Sequence, residues 1–174
     1  MDVYQQLAQY QYPDLDEVEK SLSEENPHFF IPVTHDEIDR ISQVLFERLG
    51  VSFPAELVSF WETVGAGELF AMPSNQNIGR YEILDPASIL GIYFEEDDFD
   101  ELYNTIRLEA HEDLETNNLL AFCMFSEYSA LYISLESGSA KGNAVYYCNQ
   151  KIADSFAEYI RRLIEEPDYF IDKS

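Results

Sequence analysis

The chain has 174 residues with 10 Lys+Arg against 34 Asp+Glu, a formal charge of −24 that excludes unaided binding to nucleic acid or to anionic lipid surfaces. Hydrophobic residues make up 46% and aromatics 14%, too many core formers for intrinsic disorder despite the charge. A chain of this length buries about 70% of the surface its unfolded form exposes, so one domain over residues 1–174 folds without disulfides or structural zinc.

Residues 1–33 read as an N-terminal helical extension. The first dozen are polar and rich in Tyr and Gln, and Leu15, Val18 and Leu22 then recur at helical spacing. Thr34-His35-Asp36-Glu37 is a capping box, in which Thr34 accepts a backbone N–H three residues on and Glu37 suits the positive end of the helix dipole. Its helix runs through Ile38, Ile41, Val44, Leu45 and Leu49 and stops at Gly50. Pro54 suits the first turn of the next helix, Leu57, Phe60, Trp61 and Val64 form its apolar stripe, and Gly65 can take the left-handed conformation that closes it. Leu69–Met72 and Tyr81–Leu84 read as strands, and Asp85-Pro86 opens a short helix through Ile89 and Leu90. From Tyr93 to Asn118 there are ten carboxylates and a single base, Arg107, which reads as a solvated helical excursion and not a core element. Leu119–Phe125, Ala130–Leu135 and Ala144–Cys148 read as an antiparallel meander, the last two strands joined through Gly138–Asn143. Lys151-Ile152-Ala153-Asp154 leads into a final helix through Phe156, Ile160, Leu163 and Ile164, capped by Asp154 or Ser155. The class is α+β: one domain with an antiparallel sheet of about five to six strands, flanked by N-terminal helices and a C-terminal helix.

Few motifs carry chemistry. Gly65-Ala66-Gly67 gives two glycines of a dinucleotide fingerprint, but Phe70 stands at the third position and the run follows a helix instead of a strand. His28, His35 and His111 are scattered at loop or polar helical positions, which favours surface or capping roles. Cys123 and Cys148 read as buried free thiols within strands, silenced by apolar neighbours and at home in a reducing compartment. The start, Met1-Asp2-Val3-Tyr4-Gln5-Gln6, has neither a basic nor an apolar leader region, and the longest apolar run, Leu119–Phe125, is far short of a membrane span. A cytoplasmic location follows. No cofactor and no metal site is expected, and an enzyme built on paired carboxylates such as Asp97 and Asp100 lacks a nucleophile, metal or cofactor motif to support it.

The loudest feature is Glu95-Glu96-Asp97-Asp98-Phe99-Asp100-Glu101, six carboxylates in seven residues flanked by Tyr93, Phe94 and Tyr103. A calcium loop would space its acids alternately around a Gly, which this run lacks. Acids that favour a helix start explain part of the pattern. Carboxylates interleaved with aromatics also make a docking surface for a basic protein, the acids speeding encounter and the aromatics anchoring it.

The stretch Phe53-Pro54-Ala55-Glu56-Leu57-Val58-Ser59-Phe60-Trp61-Glu62-Thr63-Val64-Gly65-Ala66-Gly67-Glu68-Leu69 resembles the signature of the SUKH superfamily. Tyr81-Glu82-Ile83-Leu84, the later strands and Ile152–Ile160 continue the resemblance in order from Thr34 onward. The resemblance implies an α+β fold without enzymatic activity. It also implies a bacterial immunity protein that neutralises a polymorphic toxin, often a nuclease, by direct binding. Its alternative is a regulatory scaffold for endogenous signalling or cell-wall proteins, as in the fungal branch. Pro54, Leu57, Phe60, Trp61 and Gly65 are read as fold-specifying, because the family shares no catalytic set to carry over. The expected partner is a toxin with a basic surface, met by residues around Glu95–Tyr103, with no nucleic acid and no membrane involved.

Overall fold

The computed structural model describes residues 2–71, 80–94, 101–125, 129–136 and 142–171, and for residues 101–103 the backbone alone. Among them seven helices surround one seven-stranded antiparallel sheet, whose strands are neighbours in chain order. The helices are α1 (Val3–Ala8), α2 (Leu15–Ser21), α3 (His35–Leu49), α4 (Ala55–Thr63), α5 (Pro86–Phe94), α6 (Glu101–Asn117) and α7 (Phe156–Glu165). The strands are β1 (Phe29–Ile31), β2 (Ala66–Leu69), β3 (Tyr81–Ile83), β4 (Leu119–Phe125), β5 (Ser129–Ser134), β6 (Val145–Tyr147) and β7 (Gln150–Ala153). The sheet is thus slightly larger than the sequence predicts. Both β1 and β7 are too short for a periodicity signal, and α1 is equally short.

Local chemistry explains the helix ends. Thr34 Oγ1 accepts the Glu37 N–H at 3.2 Å, and Gly50 closes α3 at φ 69°. Trp61 of α4 donates its indole N–H to the Leu84 carbonyl at 2.9 Å, tying the helix to the end of β3. The two glycines after α4 serve the backbone, not a nucleotide. A Cβ at Gly65 would stand 2.3 Å from the Ile31 carbonyl oxygen, and one at Gly67 would stand 2.0 Å from that of Phe29, so β1 closes on β2 only where side chains are missing.

Strand register sorts the side chains onto two faces. Phe30, Gly67, Ile83, Cys123 and Leu131 lie directly opposite one another across five strands, and this row looks toward α1, α4 and α7, where Phe30, Tyr4 and Phe156 all pack on Phe60. Phe29, Glu68, Glu82, Met124 and Ala130 make the next row, which by strand alternation looks the other way. On that second face α6 packs on β4, α5 packs on α6, and α3 packs on α5.

Three expectations need correction. The stretch 93–118 is helical at both ends but not wholly solvated, since Tyr93, Ile106 and Ala110 are buried in the core. Cys123 is buried as expected, whereas Cys148 is exposed, because the β6–β7 turn needs left-handed backbone at Cys148 and Asn149. His28 is buried with only 7% exposure. Its Nδ1 accepts the Phe70 N–H at 3.0 Å, and Tyr10 and Phe70 meet its ring edge-on.

Candidate functional site

Glu95, Glu96, Asp97, Asp98, Phe99 and Asp100 lie outside the described residues, as do the side chains of Glu101 and Tyr103. The residues that lead into the segment are held from within. The Tyr93 hydroxyl accepts the Ala121 N–H at 3.0 Å, just beyond the point where β3 stops pairing with β4. The Tyr93 carbonyl accepts from His111 Nε2 at 3.0 Å, and Arg107 Nε donates to the Ile92 carbonyl at 3.0 Å. Phe94 lies under the Arg48 guanidinium, 3.8 Å from its ring centre. The helices on either side of the acidic run in the sequence are thus tied to each other through Arg107 and His111.

A second acidic feature comes from parts of the chain that sequence reading did not connect. Over the Phe29–Glu68–Glu82 row lies a cavity of about 820 Å³, lined by the acidic residues Asp14, Asp16, Glu37, Glu68, Glu82 and Asp85 and, among the described residues, by no Lys or Arg. Five elements bring these acids together. Asp14 and Asp85 stand at the starts of α2 and α5, where their carboxylates accept the N–H groups of Glu17 and Ser88 at 2.9 Å and 2.7 Å. Glu37 is in the first turn of α3, and Glu68 and Glu82 come from paired strands. Phe29, Ile31 and Val33 supply apolar lining, and Leu15 at the rim is 66% exposed.

The electrostatics of this cleft oppose folding. Glu68 and Glu82 are direct cross-strand partners, a placement that brings two like charges to about 5 Å at Cβ and costs up to about 1 kcal/mol. Arg80 answers Glu68 at 2.7 Å. Partial burial, then Glu68 and Asp85, push the Glu82 carboxyl above its ordinary range, with Arg80 pulling the other way. Glu37 is raised by the same kind of burial and by Asp85. Groups held like this prefer either a proton or a cation beside them.

A smaller cavity of about 430 Å³ lies between α6 and the β5–β6 region, with Glu109, Glu112 and Asp113 on its rim. Among the described residues no group of three or more His, Cys, Asp or Glu is arranged to hold a metal ion. No helix among them is long and apolar enough to cross a membrane.

A sequence model of the SMI1 / KNR4 family (SUKH-1) matches residues 32–162. The chain is 32% identical over 143 residues to the immunity protein YxxD of Bacillus subtilis (strain 168), an alignment covering 82% of this chain and 88% of the relative. No solved structure matches.

Proposed function

The chain belongs to the SMI1 / KNR4 family (SUKH-1), and from that membership we propose that it is an immunity protein, which binds and neutralises a cognate bacterial toxin by direct contact and without turnover. The alignment with an immunity protein over most of both chains carries the reading. Geometry supports it: over β1–β3 the sheet face turned away from α1, α4 and α7 presents acidic residues around apolar lining, a surface suited to holding a basic protein. A nuclease toxin would fit, because its nucleic-acid groove must be basic and an acidic inhibitor can occupy or screen it. The protein would act in the cytoplasm, whose reducing conditions suit the free thiols of Cys123 and Cys148.

The acidic run remains part of the proposed contact. Tyr93 and Phe94 end α5 just before it in the sequence, and in this reading Glu95 to Glu101, with Phe99 and Tyr103, supply charge and anchors. Replacing Glu96, Asp97, Asp98 and Asp100 by Gln or Asn should slow toxin association about tenfold at low salt and flatten its salt dependence. Circular dichroism and melting should not change, and an unaltered association rate removes the run from the contact.

The function itself is tested by affinity capture of the tagged chain from its native host, with elution across a salt gradient, followed by expression of the captured polypeptide with and without the chain. The expected result is a toxin with a basic terminal domain whose growth arrest this protein relieves. Capture of signalling or cell-wall proteins, with no toxicity to relieve, would favour the regulatory scaffold and overturn immunity.

A further inference from the structure

The acidic run announces itself in the sequence, but the cleft over β1–β3 has the features of an anchoring site. Its acids are built into two helix starts, a first helical turn and two paired strands. Its apolar lining and the exposed Leu15 resemble the anchor-and-rim anatomy of a binding hot spot, in which a few desolvated contacts are ringed by polar groups. Resting on the immunity reading, we propose that this cleft receives an arginine-bearing basic segment of the toxin, its guanidinium set between Glu68 and Glu82 and an apolar neighbour laid on Phe29 and Leu15.

Three observations point to that occupant. Charge comes first: six acidic residues line the cavity and, among the described residues, no Lys or Arg does so; Arg80 meets Glu68 from beside it, and the negative charge left over calls for a cationic occupant. The second is placement. Side-by-side acids on adjacent strands weaken a free protein, and such a breach of local rules is expected where a partner supplies the compensation. The third is the protein's own guanidinium: Arg80, the residue before β3, meets Glu68 at 2.7 Å, so a carboxylate of the site already accommodates a planar fork of donors. Arginine suits two adjacent carboxylates better than lysine because its donors are fixed in a plane and reach both.

The strand edges direct a partner to the same place. The outer side of β1 is taken by residues 10–12, with the Phe30 N–H donating to the Tyr10 carbonyl at 3.0 Å and the Tyr12 N–H to the Phe30 carbonyl at 2.8 Å. Strand addition next to the cleft is therefore blocked, and docking is by side chains over the face.

Two variants test the proposal, with a third as control. In the free protein Glu82→Gln should raise the urea midpoint at neutral pH, since it removes a repelled carboxylate. Against the captured toxin, Glu82→Gln should weaken binding by about tenfold, and Glu82→Gln with Glu68→Gln by about 30-fold or more, the scale of truncating one side of a close ion pair. Glu112→Gln, equal in charge change to either single substitution but at the second cavity, should shift affinity by less than about threefold, as expected of a rim charge. Amide NMR of the labelled protein with the tripeptide amide Arg-Leu-Arg as probe should move the signals of Phe29, Glu68, Glu82 and Asp85, and Lys-Leu-Lys should move them less. Raised stability with lowered affinity is the signature of a binding role, since a merely structural pair would lose both together. Toxin neutralisation with full affinity in the double variant, or probe shifts away from the cleft, overturns this inference and leaves immunity standing. A wild-type protein that relieves no toxin overturns immunity instead.

Discussion

His28 shows how one side chain can couple stability to pH. Burial holds its imidazole down to about 4 from the ordinary 6.5, and its Nδ1 is committed as acceptor to the Phe70 N–H, which requires the unprotonated nitrogen. Once unfolded, the same side chain protonates near its ordinary value. Between about pH 6.5 and 4 the unfolded chain therefore binds a proton that the native one refuses. The stabilisation is complete above that window, is lost as pH falls through it and amounts to on the order of 3 kcal/mol. Glu37 and Glu82 act in the opposite sense: their raised values mean that the native state gains stability as pH falls toward the ordinary carboxylate value. A bulk acid titration mixes the two effects, so the comparison needs a variant. His28→Asn keeps an acceptor for Phe70 but cannot titrate, and urea unfolding should show the wild type losing more stability than the variant between pH 7 and 4.5. Parallel curves would mean that native His28 takes up its proton as readily as the unfolded chain does. Nothing in Asn26-Pro27-His28-Phe29 signals this burial, because the rings that enclose His28 come from Tyr10 and Phe70, far away along the chain.

At the scale of elements, what could be read from sequence was what neighbours along the chain decide. The Thr34 cap, the Gly50 stop, the Pro54 start and the Asp85-Pro86 opening are written within a few residues of the helices they bound, and α3, α4 and α5 begin and end accordingly. The cleft was not legible for the converse reason. The Glu68–Glu82 contact is a fact of strand register, and no local pattern says which acids of a chain this acidic will meet. Glu56 is a further case: in sequence it is an early residue of α4, yet its Oε2 accepts the Asn143 N–H at 2.6 Å and the Phe156 N–H at 3.0 Å. One carboxylate thus joins α4, the approach to β6 and the first turn of α7, where an acid also suits the helix dipole. Glu56→Ala would leave two backbone N–H groups without that acceptor, at a cost of about 3 kcal/mol. Hydrogen exchange should report the loss locally, with the Asn143 and Phe156 amides speeding more than those of β4. Unchanged protection at those two amides would refute the clamp.

On the scale of the whole molecule, an open-ended meander must keep its two outer strands from pairing with other chains. Residues 10–12 cover β1, and the C-terminal region guards β7 by another means. The Ile152 carbonyl accepts from Arg162 at 3.0 Å and from the Tyr169 hydroxyl at 2.7 Å, and the two donors brace each other, the guanidinium lying 4.0 Å from the ring centre. The charge of −24 adds a longer-range defence, since copies of the chain repel one another until salt screens them. The two defences are separable. Arg162→Ala with Tyr169→Phe opens the edge and, by removing a positive charge, leaves the chain still more negative, so the double variant should remain monomeric at low salt and associate near 1 M salt, where the Debye length is about 3 Å. Light scattering after size exclusion measures this directly, and Arg161→Ala, which removes the same charge from an Arg paired with Glu165, serves as the control and should stay monomeric throughout. A double variant that remains monomeric at both salt concentrations would show that the short length of β7 protects the edge without these two side chains.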